Sequence, residues 1–217
     1  MNTKRIFSWG IFIVIIGLIV WGMIAASQKA SREKASLPLP NQVTSSDWTR
    51  GNASSTVILV EYSDFQCPAC AAYFPMVEKL FKENANNMLF IYRHFPLTQH
   101  ANAIPAAQAA EAAGKQGKFW EMYEMIFSTH DEWENSKDVK KIFSDYAVEL
   151  GLNMTQYSED FESKVTLDKI DSDLKSGMMA GVNSTPTFYL NGEKIQTPES
   201  YEDFKKLIDD AQAKTKS

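Results

Sequence analysis

The sequence predicts an α/β domain interrupted by an α-helical insertion and preceded by one N-terminal transmembrane helix. Three observations carry that expectation. A strand-helix-strand pattern fills residues 56–95, a block of helical patterns follows, and a hairpin with a helix closes the chain. Ahead of them, residues 6–26 carry no charge. A run of that length can span a bilayer, which takes about 20 residues, and it exceeds a signal-peptide core of about 7–15. Hydrophobic residues at 44% and charged residues at 23% are ordinary for a globular protein and exclude a disordered or collagen-like chain. The net charge of -5 gives no electrostatic basis for nucleic-acid binding.

Trp9 and Trp21 lie near the ends of the uncharged run, where indoles favour the interface. Lys4 and Arg5 precede it, and Lys29, Arg32 and Lys34 follow closely, so the positive-inside count is nearly tied. A short tail, residues 1–5, fits a signal-anchor with the tail in the cytoplasm and the bulk exported. Ile24-Ala25-Ala26-Ser27 is a poor cleavage site, which favours an uncleaved anchor. Residues 27–46 are polar with two prolines and read as a tether.

Residues 56–62 (TVILVEY) are rich in β-branched residues and apolar on both faces, the pattern of a central strand in a covered sheet. Pro68 suits the first position of the helix that follows, and Pro75 is expected to kink it. Residues 88–95 read as a second strand. Residues 103–114, 118–128, 138–150 and 165–180 read as helices, the third stopped by Gly151. Residues 187–190 return to a strand, Asn191-Gly192 is a two-residue hairpin turn, and 194–197 would be the second arm. A helix from Glu199, capped by Thr197 with Pro198 at its start, ends the domain. The predicted α/β domain is therefore discontinuous, 47–97 and 177–215, with the helical insertion at 98–176.

The chain has two cysteines, Cys67 and Cys70, three apart. Two cysteines placed at random over this length would be so spaced about once in a hundred chains. Positions i and i+3 in a first helical turn share a face, close enough for a disulfide. The helix N-terminus favours a thiolate at Cys67, and a stabilised reduced form makes the disulfide a stronger oxidant. Cys70, one turn in, is expected to be more buried and to act as the resolving thiol. Zinc binding would need two further ligands, with only His94, His100 and His130 available. A passive bridge closes too short a loop to stabilise much. Redox exchange is favoured because the motif follows a strand and opens a helix.

Arg50-Gly51-Asn52, VEYSDFQCPAC (60–70), RHFPL (93–97), QGKFWEMYEMIF (116–127) and VNSTPTFYLNG (182–192) together resemble the DsbA-like, membrane-anchored thiol-disulfide oxidoreductases. That resemblance implies a thioredoxin-like fold with a helical insertion between Cys70 and Pro186. It implies that Pro186 is the cis-proline beside the cysteine pair and that the backbone of its neighbour, Thr185, pairs with a bound peptide. No cofactor beyond the redox-active disulfide is implied. The implied function is to introduce disulfides into unfolded, exported proteins with free cysteines, on the extracytoplasmic side, periplasmic or cell-surface, with a membrane redox partner for reoxidation. The strongly oxidising members carry Pro-His between the cysteines; Ala69 here removes that histidine. Running as a reductase or isomerase, or serving as a metal or peptide chaperone, are the alternatives.

Glu61 shares a strand face with Val57 and Leu59, so partial burial is expected. Burial would raise its pKa and suit it to relaying a proton for Cys70. The family places an acid at this spacing. Phe65, Tyr73, Phe74 and Trp120 either line an apolar groove or pack in the core. No role is assigned to the histidines.

Overall fold

The computed structural model describes residues 16–28, 39–40 and 42–214. The chain divides into two units, Met1–Leu37 and Pro38–Ser217. In the first, residues 16–28 form helix α1, and its side chains are exposed. Among the described residues no helix is long and apolar enough to cross a membrane. Residues 6–15 of the predicted span lie outside the described residues.

The second unit is built on a five-stranded sheet of order β1-β3-β2-β4-β5. The strands are β1 (Trp48–Gly51), β2 (Ile58–Ser63), β3 (Leu89–His94), β4 (Thr187–Leu190) and β5 (Glu193–Lys194). β2 runs parallel to β3 and antiparallel to β4, so it is the central strand that its apolar pattern predicts. Its alternation sends Val57, Leu59 and Glu61 to one face, against Phe90, Tyr92 and Phe188. Val60 and Tyr62 face the other way, with Leu89, Ile91, Tyr189 and Phe95. Both faces are covered. Helices α2 (Pro68–Asn84), α4 (Phe119–Ser128) and α9 (Tyr201–Lys214) contribute to the first core, and α8 (Lys164–Ala180) seals the second. Gly177 makes the second contact close: a Cβ there would stand 2.6 Å from the Phe95 ring and 2.9 Å from Tyr62.

Between β3 and β4 lie α3 (Ala103–Gly114), α4, α5 (His130–Trp133), α6 (Val139–Glu149), α7 (Met154–Phe161) and α8. α3 is buried along nearly its whole length, which explains its alanines: small side chains let α4, α6, α7 and α8 all approach it. The last helix of the insertion runs to Ala180, past residue 176, and stops where Gly181 takes φ +85°.

Several local expectations are corrected. Strand β1 and helices α5 and α7 had no clear sequence signal, because each is short and takes its stability from neighbours. Pro75 is accommodated inside α2, which continues to Asn84. The second hairpin arm is only Glu193–Lys194. The last helix begins at Tyr201, with the Ser200 hydroxyl accepting the Asp203 N–H at 3.1 Å, so Ser200, not Thr197, is the cap. The hairpin turn itself holds: Asn191 and Gly192 take φ +52° and +85°.

The folded domain also reaches back before residue 47. Arg93, fully buried, pairs with Asp47 and donates to the carbonyls of Leu39 (3.0 Å) and Gln42 (2.7 Å). A further bond, 2.9 Å to the Tyr62 hydroxyl, leaves this guanidinium well satisfied, as a buried cation must be.

Candidate active site

The site forms where β2 ends and α2 begins. Cys67 is the N-cap of α2, with extended backbone (φ -70°, ψ 121°), and Pro68 is the first helical residue. No side chain caps this helix. Its unpaired N–H groups are therefore free to serve the Cys67 sulfur. Both cysteines are in the dithiol form, Cys67 7% exposed and Cys70 1%.

Their electrostatics diverge. The Cys67 thiol is pulled down to about 5 by a hydrogen bond from the Cys70 thiol, with further help from the Thr185 hydroxyl and the N–H groups of Cys70 and Ala69; partial burial opposes this. Burial pushes Cys70 well above its ordinary value, and the charges of Cys67 and Glu61 push the same way. One sulfur is thus a thiolate at neutral pH and the other holds its proton, the asymmetry expected for an attacked and a resolving thiol.

The loop before β4 completes the site. The Thr185–Pro186 peptide is cis, and the Cys67 thiol donates to the Thr185 carbonyl at 3.5 Å. Among the described residues the Thr185 hydroxyl is buried without a hydrogen-bond partner while Cys67 is a thiol. Deprotonation of Cys67 supplies the missing acceptor, so the orphaned hydroxyl favours the thiolate.

Glu61, 2% exposed, lies on β2 between Tyr92 and Phe188 of the flanking strands. Burial lifts its pKa to about 7; Ser63 and Arg50 hold it back and Glu78 adds to the rise. Its Oε2 has no hydrogen-bond partner among the described residues. A carboxyl that changes protonation near neutrality, electrostatically linked to Cys70, can take up and release a proton.

All five predicted site residues, Glu61, Cys67, Cys70, Thr185 and Pro186, therefore belong to the end of β2, the start of α2 and the approach to β4. Other participants escaped the sequence reading. Arg50 of β1 pairs with Glu78 of α2 and sits over the rings of Phe81 (4.1 Å) and Trp120 (4.4 Å), near enough to act on Glu61. Asp64, buried, accepts the Gln66 N–H (2.8 Å) and the Leu97 N–H (2.8 Å) and bonds His100 Nδ1 (2.7 Å). Nothing in the local pattern announces these pairings, which join residues 28 and 36 apart.

Of the aromatics, Phe65 is core, 1% exposed among Tyr92, Tyr123 and Phe127. Tyr73, Phe74 and Trp120 are half-buried around the same core. The histidines available for a zinc site are engaged elsewhere, His94 with Glu111 and His100 with Asp64. Among the described residues, the group with metal-ligand spacing is His130, Asp131 and Glu134, which contains neither cysteine.

Residues 44–210 match the family model described as Thioredoxin. Among curated proteins, a Na(+)/H(+) antiporter NhaA 1 from Mycobacterium sp. (strain KMS) is 35% identical over 156 residues, 70% of this chain and 24% of the relative. The chain thus spans about a quarter of the length of the curated relatives it matches. Among solved structures, α-DsbA1 from Wolbachia pipientis superposes with a TM-score of 0.67 at 23% identity, covering 84% of this chain and 96% of that one. Oxidised BdbD from Bacillus subtilis gives a TM-score of 0.69 at 20% identity, with 82% and 97% covered. A mixed α/β fold with a helical block between its strands, a Cys-Pro-Ala-Cys at a helix start and a match over most of the domain lead to one assignment: the chain belongs to the thioredoxin family.

Proposed function

We propose that the protein is an extracytoplasmic thiol-disulfide oxidoreductase that introduces disulfides into exported proteins. One observation carries the reading, the opposite displacement of the two thiols: Cys67 is lowered to about 5 and Cys70 is raised. In the oxidised enzyme a substrate thiolate attacks the Cys67 sulfur and the Cys67–Cys70 bond breaks. Cys70 leaves and is protonated, with Glu61 as the proton source, and a substrate–Cys67 mixed disulfide remains. A second substrate thiolate attacks the substrate sulfur of that bond, closing the substrate disulfide and releasing Cys67 as a thiolate. The substrate loses two electrons and the cysteine pair gains them. Low basicity makes Cys67 the better leaving group in the second step.

Cys67 and its flank are where a substrate would dock, with the Thr185 backbone offering strand-like hydrogen bonds to an extended peptide. Substrates in this reading are unfolded exported proteins with free cysteines, and a membrane redox partner reoxidises the pair. Residues 6–26, uncharged and apolar, support anchoring to the membrane with the domain on the extracytoplasmic side. The absence of any other cysteine suits an oxidase, which then has no thiol of its own to attack.

The reduction potential of the Cys67–Cys70 pair tests the direction. A value nearer -120 mV, the strong-oxidant end, supports disulfide introduction; one near -270 mV, as in thioredoxin, would assign the protein to reduction instead.

A further inference from the structure

Gln66, the residue immediately before the nucleophile, spends every polar group it has. Its N–H donates to Asp64 Oδ1 (2.8 Å). Its side-chain Oε1 accepts the Asn102 N–H (2.6 Å), and its Nε2 donates to the Glu134 carbonyl (2.6 Å). Its own carbonyl receives His130 Nε2 at 3.0 Å. Three of these four bonds come from the helical insertion, outside the β2–α2 unit that carries the cysteines. Asn102 is itself held by the carbonyls of Glu134 (3.1 Å) and Ser136 (2.9 Å), so the attachment is braced.

We propose that His130 is a positioning residue for disulfide exchange, holding the Gln66 peptide so that Cys67 keeps its place at the helix N-terminus. The argument is geometric. A carbonyl only accepts, so Nε2 carries the proton, whatever the state of the other nitrogen. The imidazole is 5% exposed, which shields this bond from competing water. Nδ1 faces the carboxylates of Asp131 (3.5 Å) and Glu134 (3.7 Å), which orient the ring. Cys67 is the N-cap of α2 without a side-chain capping bond, and the anchored Gln66 carbonyl belongs to the same planar peptide unit as the Cys67 Cα. The sulfur's contacts with the N–H groups of Ala69 and Cys70 and with Thr185 therefore depend on an anchor supplied by α5. The same histidine lines a groove of about 560 Å³ with Pro68, Ala71, Ala72 and Phe127, directly beside the cysteine motif. Substrate entering that groove would lie against the anchor.

The inference rests on the oxidoreductase reading, and its test separates the two. His130→Phe fills the site without a donor; His130→Gln restores one. Each whole chain is equilibrated with reduced and oxidised glutathione, and the Cys67 thiolate is titrated by its ultraviolet absorbance. Loss of the anchor weakens the thiolate contacts, so His130→Phe is expected to shift the equilibrium toward the disulfide roughly three- to tenfold, the scale of one hydrogen bond. That corresponds to about 15–30 mV for a two-electron couple. The Cys67 titration moves upward with it, and His130→Gln returns both toward the parent. A folded His130→Phe with parental potential and titration would overturn the proposal. Should that variant fail to fold, His130→Ala, which removes the donor without adding bulk, decides on the same readouts: unchanged values overturn it. A parent protein that does not exchange with glutathione at all would instead refute the oxidoreductase reading.

Discussion

Glu61→Gln is the sharpest probe of the buried carboxyl. In the folded protein burial moves this group from 4.5 to about 7, and in the unfolded chain it returns to its ordinary value. Below pH 4.5 both states are protonated and no penalty exists. As pH rises through the unfolded value toward 7, the unfolded chain ionises while the folded one holds its proton, so stability falls with pH. Above 7 the folded protein carries the charge at full cost. The displacement of about 2.5 units corresponds to about 3 kcal/mol. Glutamine cannot ionise and removes that loss. It also places an amide where a neutral carboxyl stood, with its own packing cost, but that cost is the same at every pH. Urea unfolding of the reduced protein at pH 4 and pH 8 isolates the electrostatic part. The parent is expected to lose about 3 kcal/mol between the two values relative to the variant. The same variant is expected to slow exchange by about a hundredfold, the low end for a positioned proton-transfer group. Greater stability at pH 8 together with slower exchange is the signature of a group kept for chemistry. Equal pH dependence in parent and variant would refute the burial argument, and an unchanged exchange rate would remove the relay role.

Thr185→Val removes the orphaned hydroxyl and keeps the side-chain shape; the Cys67 titration is expected to rise from its value of about 5, read by thiolate absorbance, and the disulfide to become less oxidising. Gly177→Ala drives a methyl into Phe95 and Tyr62 and is expected to cost about 1–3 kcal/mol in urea unfolding, with little effect on the Cys67 titration.

Much of this architecture was legible because its determinants are local. The apolar run of β2, the Pro68 start of α2, the Gly151 stop of α6 and the Asn191-Gly192 turn each follow from backbone preferences over a few residues. So does the cysteine motif, whose spacing places both sulfurs in one helical turn. Glu61 was legible too, since strand alternation put it on the face of Val57 and Leu59. Thr185 and Pro186 came from resemblance, because no spacing argument links them to a cysteine more than a hundred residues earlier.

What the sequence by itself determined was the kind of chemistry: a single cysteine pair at a strand-to-helix junction, in a chain with no other thiol. Only the tertiary structure decided how that pair is tuned. The lowered Cys67 and raised Cys70 arise from burial and from partners on the approach to β4. The Arg50–Glu78 pair, the Asp64–His100 bond and the grip of His130 on the Gln66 carbonyl join residues far apart in the chain. Local propensity acts over a few residues, whereas desolvation and hydrogen-bond geometry depend on what the fold brings within about 3 Å. For that reason the motif could be read in one dimension, and its reactivity only in three.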